Sequence, residues 1–243
     1  MRAHANTSPL VLGKLRDACS FCSLHELCWP MGLEAADLER LQSMVRQAGP
    51  FPVGSYLFRT GDQFTAIYAV RSGCIKSYSV DAGGHELVHG FHLRGELLGF
   101  DAVYPEQHHC NALILEPCSV CVIPYHDIDR LSADFHSLHS QILRLISREF
   151  ARQLMYGEGF GATQRIAAFL VNICSRLHQS GSPEYEFRLP MSREDIASYL
   201  AISPETLSRL LSKLRGQRLI EVNRRHVRLV DPERLKLLAE GLD

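Results

Sequence analysis

Between Met191 and Val230 the chain spells out two short capped helices, a tight turn between them, and two β runs behind them, an order that few folds accept. In Met191-Ser-Arg-Glu-Asp-Ile-Ala-Ser-Tyr-Leu200, Ser192 is placed to cap a helix, and Asp195, three residues on, completes a capping box. After the short Ala201-Ile202 turn, Ser203 caps a second helix. Pro204 takes its first position, where a missing N–H breaks no intrahelical bond. Leu219-Ile-Glu-Val222, the polar turn Asn223-Arg-Arg225 and Val227-Arg-Leu-Val230 predict a β-hairpin wing. A helix from Thr163 to about His178 precedes the motif, closed by a turn at Gln179-Ser-Gly-Ser-Pro183. Residues 161–243 therefore read as a winged helix-turn-helix DNA-binding domain.

Glu205, Ser208 and Arg209 fall at i, i+3 and i+4 near the start of the second helix, so they share the face that meets base edges in a major groove. Arginine grips guanine O6 and N7 with two bonds, glutamate accepts from cytosine N4, and serine reaches a thymine or a phosphate. Ser203 and Thr206 at the cap, with Lys213 and Arg225, complete the expected DNA-binding set. Lys213, Arg215, Arg218, Arg224, Arg225 and Arg228 are placed for phosphates or for solvent. The formal net charge is only −1, yet the first 161 residues carry an acidic excess and the remainder a basic one, which marks the C-terminal part as the polyanion binder.

Upstream, the pattern is different. From Phe51 to Pro124 short β-type runs alternate with glycine turns: Tyr56-Leu-Phe58, Ala66 to Gly73, Ile75 to Val80, Asp81-Ala-Gly-Gly84, Glu86 to His92 and Gly95 to Gly99. Such spacing predicts an antiparallel β jelly roll. Past Pro124 the period becomes helical, with Ile128, Leu131, Phe135, Leu138, Ile142 and Leu145 at alternating steps of three and four. A seam of that kind predicts a long helix pairing with a second copy, or alternatively lying on its own barrel. Gly157, Gly159 and Gly161 then mark a hinge. The chain is read as α+β: a cysteine-rich segment at 1–28, a β-roll sensor domain at 29–125, a dimerisation helix and hinge at 126–160, and the winged helix-turn-helix at 161–243. At 243 residues it has room for two such cores.

No apolar run approaches the roughly 18 residues that span a bilayer, and the N-terminus lacks a signal-peptide core, so a cytoplasmic protein without a membrane partner is expected. In a reducing compartment, clustered thiols are more often metal ligands than disulfides. Cys19-x2-Cys22-x5-Cys28 is such a cluster, and it needs a fourth ligand from elsewhere. Cys110, Cys118 and Cys121 are the candidates, whereas Cys74 and Cys174 read as small buried apolar residues. Zinc on Cys19, Cys22, His25 and Cys28 is the alternative, and uncoordinated thiols the third reading. No nucleophile elbow, phosphate loop or HExxH sequence is present, so no enzyme is expected. His108 and His109 are adjacent, which would point them apart on a strand.

The cysteine spacing, Ala69-Val-Arg-Ser-Gly-Cys-Ile-Lys-Ser-Tyr78, Gly90-Phe-His-Leu93 with Gly99-Phe-Asp101, Ser119-Val-Cys-Val-Ile-Pro124 and Glu205-Thr-Leu-Ser-Arg209 together resemble the CRP/FNR superfamily of bacterial regulators, within it the oxygen-responsive FNR/ANR group. The resemblance covers roughly residues 15–240. It implies a [4Fe–4S] cluster on Cys19, Cys22, Cys28 and Cys121, the last through the Val-Cys-x-Ile-Pro context. It further implies a homodimer that binds double-stranded DNA at a TTGAT-type palindrome, contacts RNA polymerase, and loses its grip when oxygen converts the cluster. Ser23 and Leu27 flank ligands and bear on oxygen access. Three departures stand out: a short, glycine-rich stretch from Glu149 to Gly161, His85 where an acidic residue is familiar in a polymerase-contacting turn, and Cys118 three residues before Cys121. Cyclic-nucleotide members of the superfamily use a Gly-Glu-Leu segment followed by an Arg-Ser/Thr pair. Here Gly95-Glu-Leu97 is present, but Gln107-His-His-Cys-Asn111 lacks the arginine. Haem on one of the twelve histidines is the remaining effector alternative.

Overall fold

The structure, a computed structural model, describes residues 43–126, 143–144, 146–147, 150–151, 159–178 and 185–242. The Cys19, Cys22 and Cys28 segment and the whole seam from Ile128 to Leu145 lie outside the described residues, as does the Gln179–Pro183 turn.

Six strands form the N-terminal sheet: β1 (Arg46–Phe51), β2 (Tyr56–Phe58), β3 (Ala66–Val80), β4 (Glu86–His92), β5 (Leu97–Leu98) and β6 (Asn111–Pro124). All pairings are antiparallel, in the order β1-β6-β3-β4, with β2 added to β6 and β5 to β3. The two runs read from the sequence on either side of Gly73 are one strand of 15 residues. Gly73 is a bulge within it and not a turn: its φ is 83°, the register with β6 shifts between Ser72 and Cys74, and a Cβ would stand 2.5 Å from the Pro117 carbonyl oxygen. β6 holds the strand together because it pairs along nearly all of β3, from Ala66 opposite Pro124 to Tyr78 opposite Asn111.

The C-terminal domain comprises α1 (Ala162–His178), β7 (Glu186–Arg188), α2 (Arg193–Tyr199), α3 (Pro204–Gly216), β8 (Ile220–Asn223), β9 (His226–Leu229) and α4 (Pro232–Glu240). β7-β9-β8 form a small sheet in which the β8–β9 hairpin is the wing. Ser192 Oγ accepts from Asp195 N while the Asp195 carboxylate accepts from Ser192 N, each at 3.0 Å, which completes the capping box. α4, a helix beyond those read from the sequence, carries the same signals: Asp231 accepts from Arg234 N at 3.0 Å, Pro232 opens the helix, and Gly241 at φ 77° ends it.

The two domains share one apolar core, in which Tyr78, Val88, Phe91 and Leu93 of the sheet pack with Ile166, Phe169 and Ile173 of α1. Phe91 lies 5.2 Å from the Tyr199 ring and 6.3 Å from Phe169. β4 is the end strand, and α2 covers it: Ser198 Oγ donates to the Glu86 carbonyl at 2.7 Å and accepts from Val88 N at 3.0 Å. Three ion pairs flank this contact. Lys76 Nζ, its side chain 5% exposed, bonds Glu86 at 2.5 Å and Asp195 at 2.6 Å, and Arg176 pairs with Glu96. An aromatic pair adds about 0.5–1.5 kcal/mol beyond burial, whereas removing one partner of a buried ion pair costs about 3–5 kcal/mol. The ion pairs therefore set where the second domain docks.

Candidate functional site

α3 buries Leu207, Leu211 and Leu214 against its own domain, which turns Glu205, Ser208, Arg209, Ser212 and Lys213 outward. The three expected base readers thus lie together on an open face, as their spacing requires. Ser203 and Thr206, also in the expected set, cap the helix start: Ser203 Oγ accepts from Thr206 N and donates to Thr206 Oγ1, both at 3.1 Å. The Glu205 carboxyl is held below its ordinary pKa by its own backbone N–H and by the Ser203 hydroxyl. It is an acceptor at neutral pH, suited to an exocyclic amine. In the wing, Arg225 Nη1 donates to the Pro190 carbonyl at 3.2 Å, so part of this guanidinium fixes the turn. Arg228 pairs loosely with Glu221 across the hairpin, at 3.6 Å.

The three candidate fourth ligands separate by face. Along β6, Cys118 and Val120 point into the interior of the roll with Tyr68, Val70 and Cys110, while Cys121 and Ile123 point to the other side, among Ile67, Ala69, Met44 and Val45. Strand alternation makes this unavoidable, since an odd step separates Cys118 from Cys121. Cys118 is fully buried, and burial pushes its thiol up to about 12; Cys110 is pushed up by burial and by the Asp101 carboxylate, which it meets at 3.4 Å. Both are poor thiolates. Cys121 is partly exposed and shares its cluster with the residues that follow the cysteine-rich segment in the chain. Its position fits a ligand to a group also held by that segment. Cys74 and Cys174 are buried, as expected.

The Gly-Glu-Leu glutamate is engaged elsewhere. Glu96 accepts from Arg176 Nε and Nη2 at 2.7 and 2.6 Å and from Leu93 N at 2.9 Å, and Arg176 also donates to the Phe91 carbonyl. His108 is buried, stacked on Phe58 with ring centroids 3.6 Å apart, whereas His109 is exposed. Both precede β6, so their divergence comes from loop geometry and not from the strand alternation expected. Among the described residues, no three His, Cys, Asp or Glu side chains converge on a metal position.

Two domain families match this architecture: the Crp-like helix-turn-helix domain over residues 164–238 and the cyclic nucleotide-binding domain over 49–135. The chain is 38% identical over 224 residues to the electron transport regulator A of Shewanella oneidensis, covering 91% of this chain and 90% of that protein. It is likewise 38% identical to the transcriptional activator protein Anr of Pseudomonas protegens over 226 residues, covering 92% and 93%. The chain belongs to the CRP/FNR family, in the FNR/ANR group. The fumarate and nitrate reduction regulatory protein of Vibrio cholerae, 38% identical over 91% of this chain and 90% of its own, is another relative. Among solved structures, FixK2 from Bradyrhizobium japonicum shares the fold with a TM-score of 0.70 at 23% identity, over 80% of this chain and 96% of that one. As a CRP/FNR regulator with a Crp-like helix-turn-helix domain, the chain is a DNA-binding protein. No helix among its described residues is long and apolar enough to cross a membrane.

Proposed function

We propose that this CRP/FNR regulator is an oxygen sensor controlling anaerobic gene expression from the cytoplasm, working as a homodimer on a TTGAT-type palindrome in concert with RNA polymerase. Cys19, Cys22, Cys28 and Cys121 would hold a [4Fe–4S] cluster. Such a cluster, when bound, supplies the sensitivity to oxygen. The observation that carries the reading is the placement of Cys121: partly exposed, on the opposite side of β6 from Cys110 and Cys118, beside Met44 and Val45. On the DNA side, Arg209 takes the guanine, Glu205 the cytosine amine and Ser208 a thymine or phosphate, while Lys213 and Arg225 offset backbone charge.

DNA affinity and oligomeric mass, measured with and without air on the wild type and Cys121→Ser, test the proposal. Anaerobic wild type is expected to bind its palindrome as a dimer, and both air and the substitution to yield a weakly binding monomer. Anaerobic protein without iron and sulfide that still dimerises and binds would overturn it.

A further inference from the structure

Lys76 is a buried cation placed between two carboxylates that belong to different domains. Its Nζ bonds Glu86, the first residue of β4, at 2.5 Å and Asp195, in the first turn of α2, at 2.6 Å. We propose that Lys76 couples the helix-turn-helix to the β3–β4 hairpin, so that DNA held by the one orders the other, and loss of the hairpin's hold on α2 lowers DNA affinity. The proposal rests on DNA binding by this domain and adds a path between the domains other than the chain that joins them.

On the α2 side every link is short. Asp195 Oδ1 accepts from Lys76 while Oδ2 accepts from Ser192 N at 3.0 Å, so the carboxylate that caps α2 is the one Lys76 holds. Beside it, Arg193 Nη2 donates to the Arg224 carbonyl at 2.9 Å, which ties the start of α2 to the turn of the wing. Farther along α2, the Ser198 hydroxyl bonds β4 while the Ser198 carbonyl accepts from Ala201 N at 3.1 Å, in the turn into α3. On the sensor side, Glu86 stands opposite Val80 and Val88 opposite Tyr78, so the residues that Ser198 bonds are the ones that close the hairpin. The turn between them holds itself: Asp81 Oδ1 accepts from Gly83 N at 2.8 Å and from His85 N at 2.9 Å. As the end strand, β4 presents its outer backbone groups to whatever covers it. α2 supplies that cover and with it the second carboxylate, which offsets the desolvation of Lys76. Without α2 the cation keeps Glu86 alone, and the Glu86 carbonyl and Val88 amide return to water. Docking and hairpin order are thus one equilibrium, and DNA that favours the docked arrangement strengthens both.

Hydrogen exchange at the amides of Glu86, Leu87 and Val88 tests the coupling, in anaerobic full-length protein, free and saturated with a duplex carrying the TTGAT-type palindrome. In the wild type the duplex is expected to slow exchange about tenfold, an ordinary coupling between two sites. In Lys76→Met the duplex should no longer slow it. Operator affinity of that variant should fall by about the same tenfold factor, with an unchanged salt slope because no phosphate contact is removed. Ser198→Ala alters no charge and keeps both ion pairs of Lys76, yet it too should lose the protection at Val88; it decides the matter if Lys76→Met does not fold. Full protection by the duplex in either folded variant, no protection in the wild type, or unchanged operator affinity in Lys76→Met would overturn the coupling while operator binding still stood. A flatter salt slope in Lys76→Met would make this cation a phosphate contact and refute the proposal as well. Failure of the wild type to bind any duplex would instead overturn the DNA reading itself.

Discussion

Arg176 reaches from α1 of the DNA-binding domain to Glu96 in the turn between β4 and β5 of the sensor domain, and the two side chains, 10% and 14% exposed, meet through two parallel hydrogen bonds. In nucleotide-binding members of the superfamily the Gly-Glu-Leu segment belongs to the effector site. Here its carboxylate joins domains, which agrees with the missing arginine in Gln107–Asn111.

Arg176→Met leaves the Glu96 carboxylate buried without its partner and is expected to cost about 3–5 kcal/mol. Urea unfolding would measure it. Arg176→Met combined with Glu96→Leu should recover most of the loss, because the stranded charge is then gone; equal loss in both proteins would speak against the pair.

Acid should loosen the domain contact through Asp195. Burial raises its pKa, but the bonds from Lys76 and Ser192 win and hold it below the ordinary 3.8. The stabilisation is therefore complete above the unfolded value and is lost as pH falls through the lower folded one. Lys76 behaves oppositely: burial lowers its pKa, the bonds to Asp195 and Glu86 more than reverse this, and its contribution is lost only as pH rises through a folded value above 10.5. Melting temperatures of wild type and Asp195→Asn should differ widely at pH 7 and converge below about pH 3.8.

Removing a thiol from either face of β6 should have opposite results. Cys121→Ala is expected to abolish anaerobic iron and sulfide loading, whereas Cys118→Ala, inside the roll, should keep both and lose only stability, about 1 kcal/mol. Iron and acid-labile sulfide assays on the two proteins decide it.

Gly73→Ala should destabilise the sensor domain by about 1–3 kcal/mol, since its φ of 83° disfavours a side chain and the new Cβ would collide with the Pro117 carbonyl. Chemical denaturation gives the figure; an unchanged midpoint would mean that the bulge relaxes.

Arg209→Ala is expected to cost about 1–3 kcal/mol on the operator and to relax base preference at one position. Arg225→Ala should weaken binding to all sequences and flatten the salt slope. Competitive titrations with base-substituted duplexes separate the two.

The sequence alone determined the capped helices of the DNA-binding domain, because the signals of Ser192, Asp195, Ser203 and Pro204 act within one turn of helix and need no distant partner. The same local chemistry at Asp231, Pro232 and Gly241 marks α4. It also determined that Glu205, Ser208 and Arg209 share a face, since helical spacing fixes that. What lay beyond the sequence were contacts set by strand pairing and docking. Gly73 looks like a turn until β6 is seen running past it, and that Cys118 and Cys121 face opposite sides is a matter of their register in β6, which the Val-Cys-x-Ile-Pro context of Cys121 does not reveal. The Glu96–Arg176 and Lys76–Asp195 pairs join residues far apart in the chain, and only the tertiary fold brings them together, because burying one such charge is tolerable only once its partner has been delivered to it.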